Sequence, residues 1–148
     1  MSKNTNLLNA KKAKNDCFYT RYEDIEKEIK NYNLKGMSIY SPCDDYRFSN
    51  FTKYFTEHFE ELGITKYCCT NYDNGDGAWK YEYDGKNTTI TQLEGNGDFR
   101  SSECTAIRDE YDTIITNPPF SLTRPFFKWL FGATFHYDNN KQDYVEND

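Results

Sequence analysis

The sequence is poor in the residues that build metal centres and disulfide frameworks. Its five cysteines (17, 43, 68, 69 and 104) are odd in number and show no C-x-x-C spacing, and only His58 and His136 could join them. That pattern argues against a zinc site and a disulfide scaffold, and leaves the thiols as small apolar residues in a reducing compartment. No apolar run is long enough to cross a bilayer, and the polar N-terminus has no signal-peptide core, so a cytoplasmic chain without a membrane partner is expected. Positive charge is short as well. With 18 Lys and Arg against 24 Asp and Glu, the net charge of −6 excludes a protein that coats nucleic acid nonspecifically. What the chain holds in quantity is aromatic rings, 13 Tyr and 11 Phe, which argue for a packed core rather than disorder over most of the 148 residues.

The charge is unevenly placed. Residues 1–15 carry four Lys and no acid, and 132–148 carry four acids and one Lys. The expected organisation is a flexible basic arm over 1–15, one folded domain over 16–131 and an acidic polar tail over 132–148 with no periodic element. Tyr22, Ile25, Ile29 and Tyr32 form one helical stripe over 22–32. The spacing predicts a first strand over 37–41, then a helix capped by Ser49 or Asn50 with Phe51, Phe55, Phe59 and Leu62 inward and Gly63 at its end. A second strand over 64–70 completes a βαβ unit, so the sheet is expected to be parallel with a right-handed crossover. Residues 78–83 and 88–93 alternate around Asp84-Gly85-Lys86-Asn87 as a β-hairpin. A short helix near 102–110 precedes the main landmark, and a last helix has Thr123 as its cap, Pro125 in its first turn and Phe126, Trp129 and Leu130 on one side.

The landmark is Asp112-Thr113-Ile114-Ile115-Thr116-Asn117-Pro118-Pro119-Phe120. Its β-branched run reads as a buried strand that two prolines stop, with Asn117 extended at the carboxyl end. Ligands bind at that end of open α/β sheets, although a Pro-Pro turn with nothing bound fits the same residues. Asn-Pro-Pro-aromatic after a strand resembles the motif of S-adenosylmethionine-dependent methyltransferases acting on a planar amine. The amine's lone pair is delocalised into its ring, so acceptors for both N–H groups favour a tetrahedral, nucleophilic nitrogen. Asn117 Oδ1 and the Pro118 carbonyl are the acceptors that the resemblance implies. Pro119 belongs to the same catalytic motif, and Phe120 stacks on a base that has left its helix.

More of the chain carries a narrower likeness. Lys14-Asn15-Asp16-Cys17-Phe18-Tyr19-Thr20, the helix at Asp24-Ile25-Glu26-Lys27-Glu28, Cys43-Asp44-Asp45 with Ser49-Asn50-Phe51, Gly97-Asp98-Phe99-Arg100-Ser101 with Glu103-Cys104, and Asn117-Pro118-Pro119-Phe120-Ser121 occur in family order. Residues 14–122 resemble the EcoRI-type adenine-specific DNA methyltransferases. The resemblance implies an α/β, Rossmann-like S-adenosylmethionine-dependent methyltransferase fold, with a truncated parallel sheet and an inserted β-hairpin.

It also implies a donor pocket for S-adenosylmethionine lined by Phe18, Tyr19 and Thr20. Cys43, Asp44 and Asp45 form its loop, with the two carboxylates accepting from the donor's ammonium or ribose hydroxyls. Asp98 and Phe99 meet the donor's adenine. The pocket is expected to separate the side chain of Asn117 from Asp44. Ordinary structural roles fit these residues too: aromatics at a helix start, a solvated acidic turn, a Gly-Asp turn. Cys43 reads as packing, and the histidines carry no chemistry. An acidic ribose ligand after the second strand is not evident unless Asp73 serves.

Beyond 122 the pattern of the family is not matched. The implied function is transfer of a methyl group to the exocyclic amine of adenine in DNA, with a flipped base as target and a second chain as the partner that would complete the sheet. The alternative is a catalytically inactive methyltransferase-like protein that binds the donor or a partner chain. A methyltransferase for RNA or protein amines ranks below both.

Overall fold

The computed structural model describes residues 20–117, 122–131, 135–138 and 143–146. The chain divides after Asn117 into two compact units. In the first, helix α1 (Tyr22–Ile29) buries Ile25 and Ile29, one turn apart. Tyr32, expected on the same stripe, lies beyond the helix end, is exposed, and donates its hydroxyl to Glu28 at 2.9 Å. Strand β1 (Ser38–Ser41) is buried along its whole length.

Ser49 caps helix α2 (Asn50–Glu57), its hydroxyl oxygen accepting from the backbone N–H groups of Phe51 and Thr52. The expected single helix is broken at His58 and resumes as the one-turn α3 (Phe59–Leu62), which Gly63 closes at φ 72°. Phe51, Phe55 and Phe59 do face inward, and Leu62 packs at the edge of the same cluster.

Strand β2 (Lys66–Thr70) pairs parallel with β1, as the βαβ reading requires. The hairpin forms as β3 (Trp79–Tyr83) and β4 (Thr88–Gln92), and β3 adds to β2 antiparallel. Helix α4 (Ser102–Asp109) is capped by Ser101. Strand β5 (Thr113–Ile114) pairs parallel with the other side of β1, and the five-stranded order is β4-β3-β2-β1-β5. The run read as a buried strand therefore gives only two half-buried ladder residues, outermost among the described residues. Strand burial depends on what lies on both sides, which the run itself does not encode.

Alternation along β1 and β2 fills both faces of the sheet. Ile39, Tyr67 and Cys69 meet Ile25, Phe55 and Phe59, with the Phe55 and Tyr67 rings stacked 5.4 Å apart. On the other side the Tyr40 hydroxyl meets Thr70 Oγ1 at 2.7 Å, and the Tyr40 ring lies 5.8 Å from that of Tyr111.

The second unit contains α5 (Thr123–Phe131), with Phe126 and Trp129 buried and their rings 5.7 Å apart. Thr123 is the first residue of that helix rather than its cap. Within 132–148, where no periodic element is expected, β6 (Phe135–Asp138) and β7 (Asp143–Glu146) form an antiparallel pair. Phe-His-Tyr and Tyr-Val supply the β-forming residues that its acidic composition obscures. The arm over 1–15 lies outside the described residues.

Gly97 holds the loop ahead of α4 against the loop after β2. Its φ is 79°, and a Cβ there would sit 1.9 Å from the carbonyl oxygen of Asn71. Gly36 also has positive φ, 81°, but faces open space. Gly36→Ala should therefore cost about 1 kcal/mol, and Gly97→Ala at least roughly 2 kcal/mol, because its loop must move as well. Urea denaturation of the two variants checks the order.

Candidate active site

The carboxyl ends of β1, β2 and β5 converge, and the side chains there are tied across long sequence distances. A two-residue ladder is too short to aim Asn117, but β5 is clamped at both ends. At its start, Asp112 Oδ2 accepts from Ser38 N at 3.0 Å and from Ser38 Oγ at 3.1 Å, while Asp112 N donates to Ser38 Oγ. At its end, Ile115 N donates to Tyr40 O and the Ser41 hydroxyl donates to Ile115 O. Cys43 N donates to Thr116 Oγ1 at 3.0 Å.

Asp44 is the centre of this arrangement. It is 0 % exposed, and its carboxylate accepts from the hydroxyls of Ser49 (2.9 Å) and Thr116, from Asn117 N (3.2 Å) and from Asn117 Nδ2 (3.1 Å). Burial pushes its pKa up to about 6, against the pull of those four donors. Asn117 is 7 % exposed, and its Oδ1 accepts from the hydroxyl of Thr20. Thr20 is held in turn by Asn50, whose Nδ2 donates to Thr20 O at 2.9 Å.

The structure thus brings together Thr20, Cys43, Asp44 and Asn117 from four separate stretches. Burial pushes the Cys43 thiol well up, and the charges of Asp44 and Asp98 act in the same direction. Asp44 and Asn117 do not face each other across a cavity as expected; they are hydrogen-bonded directly. The methylation reading therefore cannot rest on a donor lying between them.

Asp45 is engaged by Arg47, whose guanidinium meets both carboxylate oxygens at 3.0 and 2.7 Å. Asp98 is engaged in the same way by Arg100, which holds its carboxyl below the usual range. The side chain of Asp98 remains 27 % exposed, and Phe99 is buried with the Arg100 guanidinium 5.3 Å from its ring centre. Asp73 shapes its own loop, accepting from Gly75 N and Gly77 N. Phe18, Tyr19, Pro118, Pro119 and Phe120 lie outside the described residues.

Sequence reading missed Thr116 and the second role of Ser49. A hydroxyl one residue before an Asn-Pro-Pro turn was the available signal. It also missed Asn71, whose side chain accepts from Trp79 N and donates to Tyr72 O and Gly77 O, closing the loop after β2. Among the described residues, no group of three or more His, Cys, Asp or Glu could hold a metal. No described helix is long and apolar enough to cross a membrane.

A mixed α/β sheet with a carboxamide and a buried carboxylate joined at its carboxyl edge is compatible with a group-transfer enzyme of the methyltransferase class. Comparison with known proteins narrows that class. The profile of the family described as "Adenine-specific methyltransferase EcoRI" matches residues 6–137, and the chain belongs to that family. It is 38% identical over 144 residues to the Type II methyltransferase M.EcoRI of Escherichia coli, covering 84% of this chain and 44% of that protein. It is also 38% identical to M.MgeORF184P of Mycoplasma genitalium over 123 residues, 82% of this chain and 39% of the relative. For M.MpnI of Mycoplasma pneumoniae the identity is again 38%, over 119 residues, 79% of this chain and 37% of the relative. The chain spans about two fifths of the length of these relatives. No solved structure matches it.

The Asp44 carboxyl has a pH consequence. Because its folded-state pKa, about 6, lies above the ordinary aspartate value of 3.8, the folded chain binds this proton more readily than the unfolded chain. This contribution to stability is present at acid pH and is lost as pH rises through about 6; the ionised form costs on the order of 3 kcal/mol. Thermal denaturation at about pH 7 and about pH 5 should show Tm rising on acidification in the natural chain. Asp44→Asn, which cannot titrate, should lose that rise.

Proposed function

We propose that this chain is the donor-binding and catalytic-loop portion of an S-adenosylmethionine-dependent DNA adenine methyltransferase, with Asn117 as the acceptor for the target amine. One observation carries the reading: the Asn117 carboxamide has its NH2 end tied to Asp44, while its Oδ1 accepts a hydrogen from Thr20. An atom that accepts an O–H in the free chain can accept an N–H from an exocyclic amine once Thr20 gives way. The parallel order β2-β1-β5 supports a Rossmann-like sheet, to which the β3-β4 hairpin is an addition.

Fit to the donor is uneven among the acidic residues. The carboxylate of Asp44 is filled by four internal donors, and Asp45 is closed over by Arg47. Asp98 is the best suited, being partly exposed and held ionised by Arg100, with acceptor capacity beyond that pair. Asp98 and Phe99 would hold the donor's adenine, and Thr20 with the residues before it would close the other side.

The bound donor supplies a methyl group already activated as a sulfonium. Asn117 Oδ1 and the Pro118 carbonyl would take the two N–H groups of the flipped base and turn its lone pair out of the ring plane. Held by Asn117 Oδ1 and the Pro118 carbonyl, the nitrogen would present its lone pair toward the methyl group that the donor would supply, and its surplus proton would pass to water. Orientation of the amine is the protein's main contribution.

A second reading is favoured by the same contact between Thr20 and Asn117, which fills the acceptor internally: a protein that binds the donor, or a partner chain completing the sheet, without turnover. Methyl transfer from S-adenosylmethionine to duplex DNA decides between them. Transfer lowered about 100-fold or more by Asn117→Ala is expected. In calorimetry, Asp98→Asn should weaken donor binding about 10-fold, the worth of one charge-assisted hydrogen bond. Donor binding without transfer to any DNA would favour the second reading, and absence of both would overturn the first reading and the donor-binding form of the second.

A further inference from the structure

We infer that Asp44 is a positioning residue that sets which end of the Asn117 carboxamide meets the target amine, and that it does not bind the donor. The inference rests on the methyltransferase reading for its consequence but on hydrogen-bond chemistry for its direction. A carboxamide can rotate by half a turn and exchange its oxygen for its NH2. Presented as oxygen it accepts from an amine, and presented as NH2 it opposes one, donor against donor. The Thr20 hydroxyl cannot choose between these states, because a hydroxyl both donates and accepts.

Asp44 can choose. An ionised carboxylate only accepts, so only the NH2 of Asn117 can face it, 3.1 Å away. The polarity of the other partners is also set. Ser49 Oγ accepts from Phe51 N at 3.1 Å and Thr52 N at 3.4 Å as the α2 cap, so its own hydrogen is directed to Asp44. Thr116 Oγ1 accepts from Cys43 N, so its hydrogen is likewise directed to Asp44. With Asn117 N, the carboxylate has four donors for about four acceptor sites, and none is left for an ammonium or a ribose hydroxyl. The charge behind the NH2 also polarises the carboxamide toward a more basic Oδ1.

Protonation of Asp44 would remove the preference, since a carboxyl O–H can donate to Oδ1 of the rotated amide. Among the described residues, the other ionisable groups facing Asp44 are the Tyr67 phenol and the Cys43 and Cys69 thiols, all pushed well up by burial, so they stay neutral where Asp44 titrates.

Two-dimensional 15N NMR of the full chain without donor tests the direction, following the side-chain NH2 of Asn117. Two well-separated, exchange-protected resonances that shift with a midpoint near pH 6 are expected. Coincident, unprotected resonances with no pH dependence would overturn the inference, and this arm needs neither activity nor a variant. In steady-state methyl transfer, Asp44→Asn should lower kcat about 100-fold, leave KM for S-adenosylmethionine within about 2-fold, and abolish the acid limb of the rate near pH 6. A raised donor KM with kcat retained would instead make Asp44 a donor ligand and sink the proposal. Absence of transfer by the natural chain would count against the methyltransferase reading alone, since the NMR result still decides the amide's direction.

Discussion

A carboxylate taken out of water must be surrounded by donors or take up a proton, and Asp44 is balanced between the two. Asp44 lies in the loop after β1, and its four donors come from the cap of α2 and from the residues after β5. Three parts of the fold are thereby joined at one buried charge. Because a half-satisfied buried ion is strongly unfavourable, the ends of these elements cannot drift independently. The short β5 ladder becomes a defined platform for Asn117 through this network and through Asp112 at its other end. Neither strand length nor hydrophobic burial would achieve that alone.

The same charge links architecture to chemistry. A carboxamide is useful to an amine substrate only in one of two orientations, and the difference between them is invisible to packing, because the two ends have nearly the same shape. Electrostatic polarity must decide it. Here the polarity passes from the backbone N–H groups at the start of α2 and in the β1 loop, through the two hydroxyls, to Asp44 and so to Asn117. This chain of donors converts secondary structure into an aimed acceptor.

Much of the scaffold was legible in the sequence because it is local. The Phe51, Phe55, Phe59 spacing, the Ser49 cap, Gly63 at φ 72° and the alternation in the hairpin each follow from neighbours within a few residues. Asp44 was legible as important but not in its role. An acidic turn after a strand suits an external ligand as well as an internal tie, and the choice depends on Thr116 and Asn117, more than 70 residues away. The half-buried state of β5 was hidden for a related reason, since it depends on the strands beside it. The β6-β7 pair was hidden because Asp143, Glu146 and their neighbours give the segment the composition of a solvated tail. Residue types stated what could bind; only the tertiary contacts stated what was already bound.

The most direct measurement is a scalar coupling across the hydrogen bond from the Asn117 side-chain nitrogen to the Asp44 carboxyl carbon, recorded at a pH where Asp44 is ionised. The account predicts a detectable coupling alongside those of the β1-β2 ladder. Ladder couplings without one between Asn117 and Asp44 would contradict it.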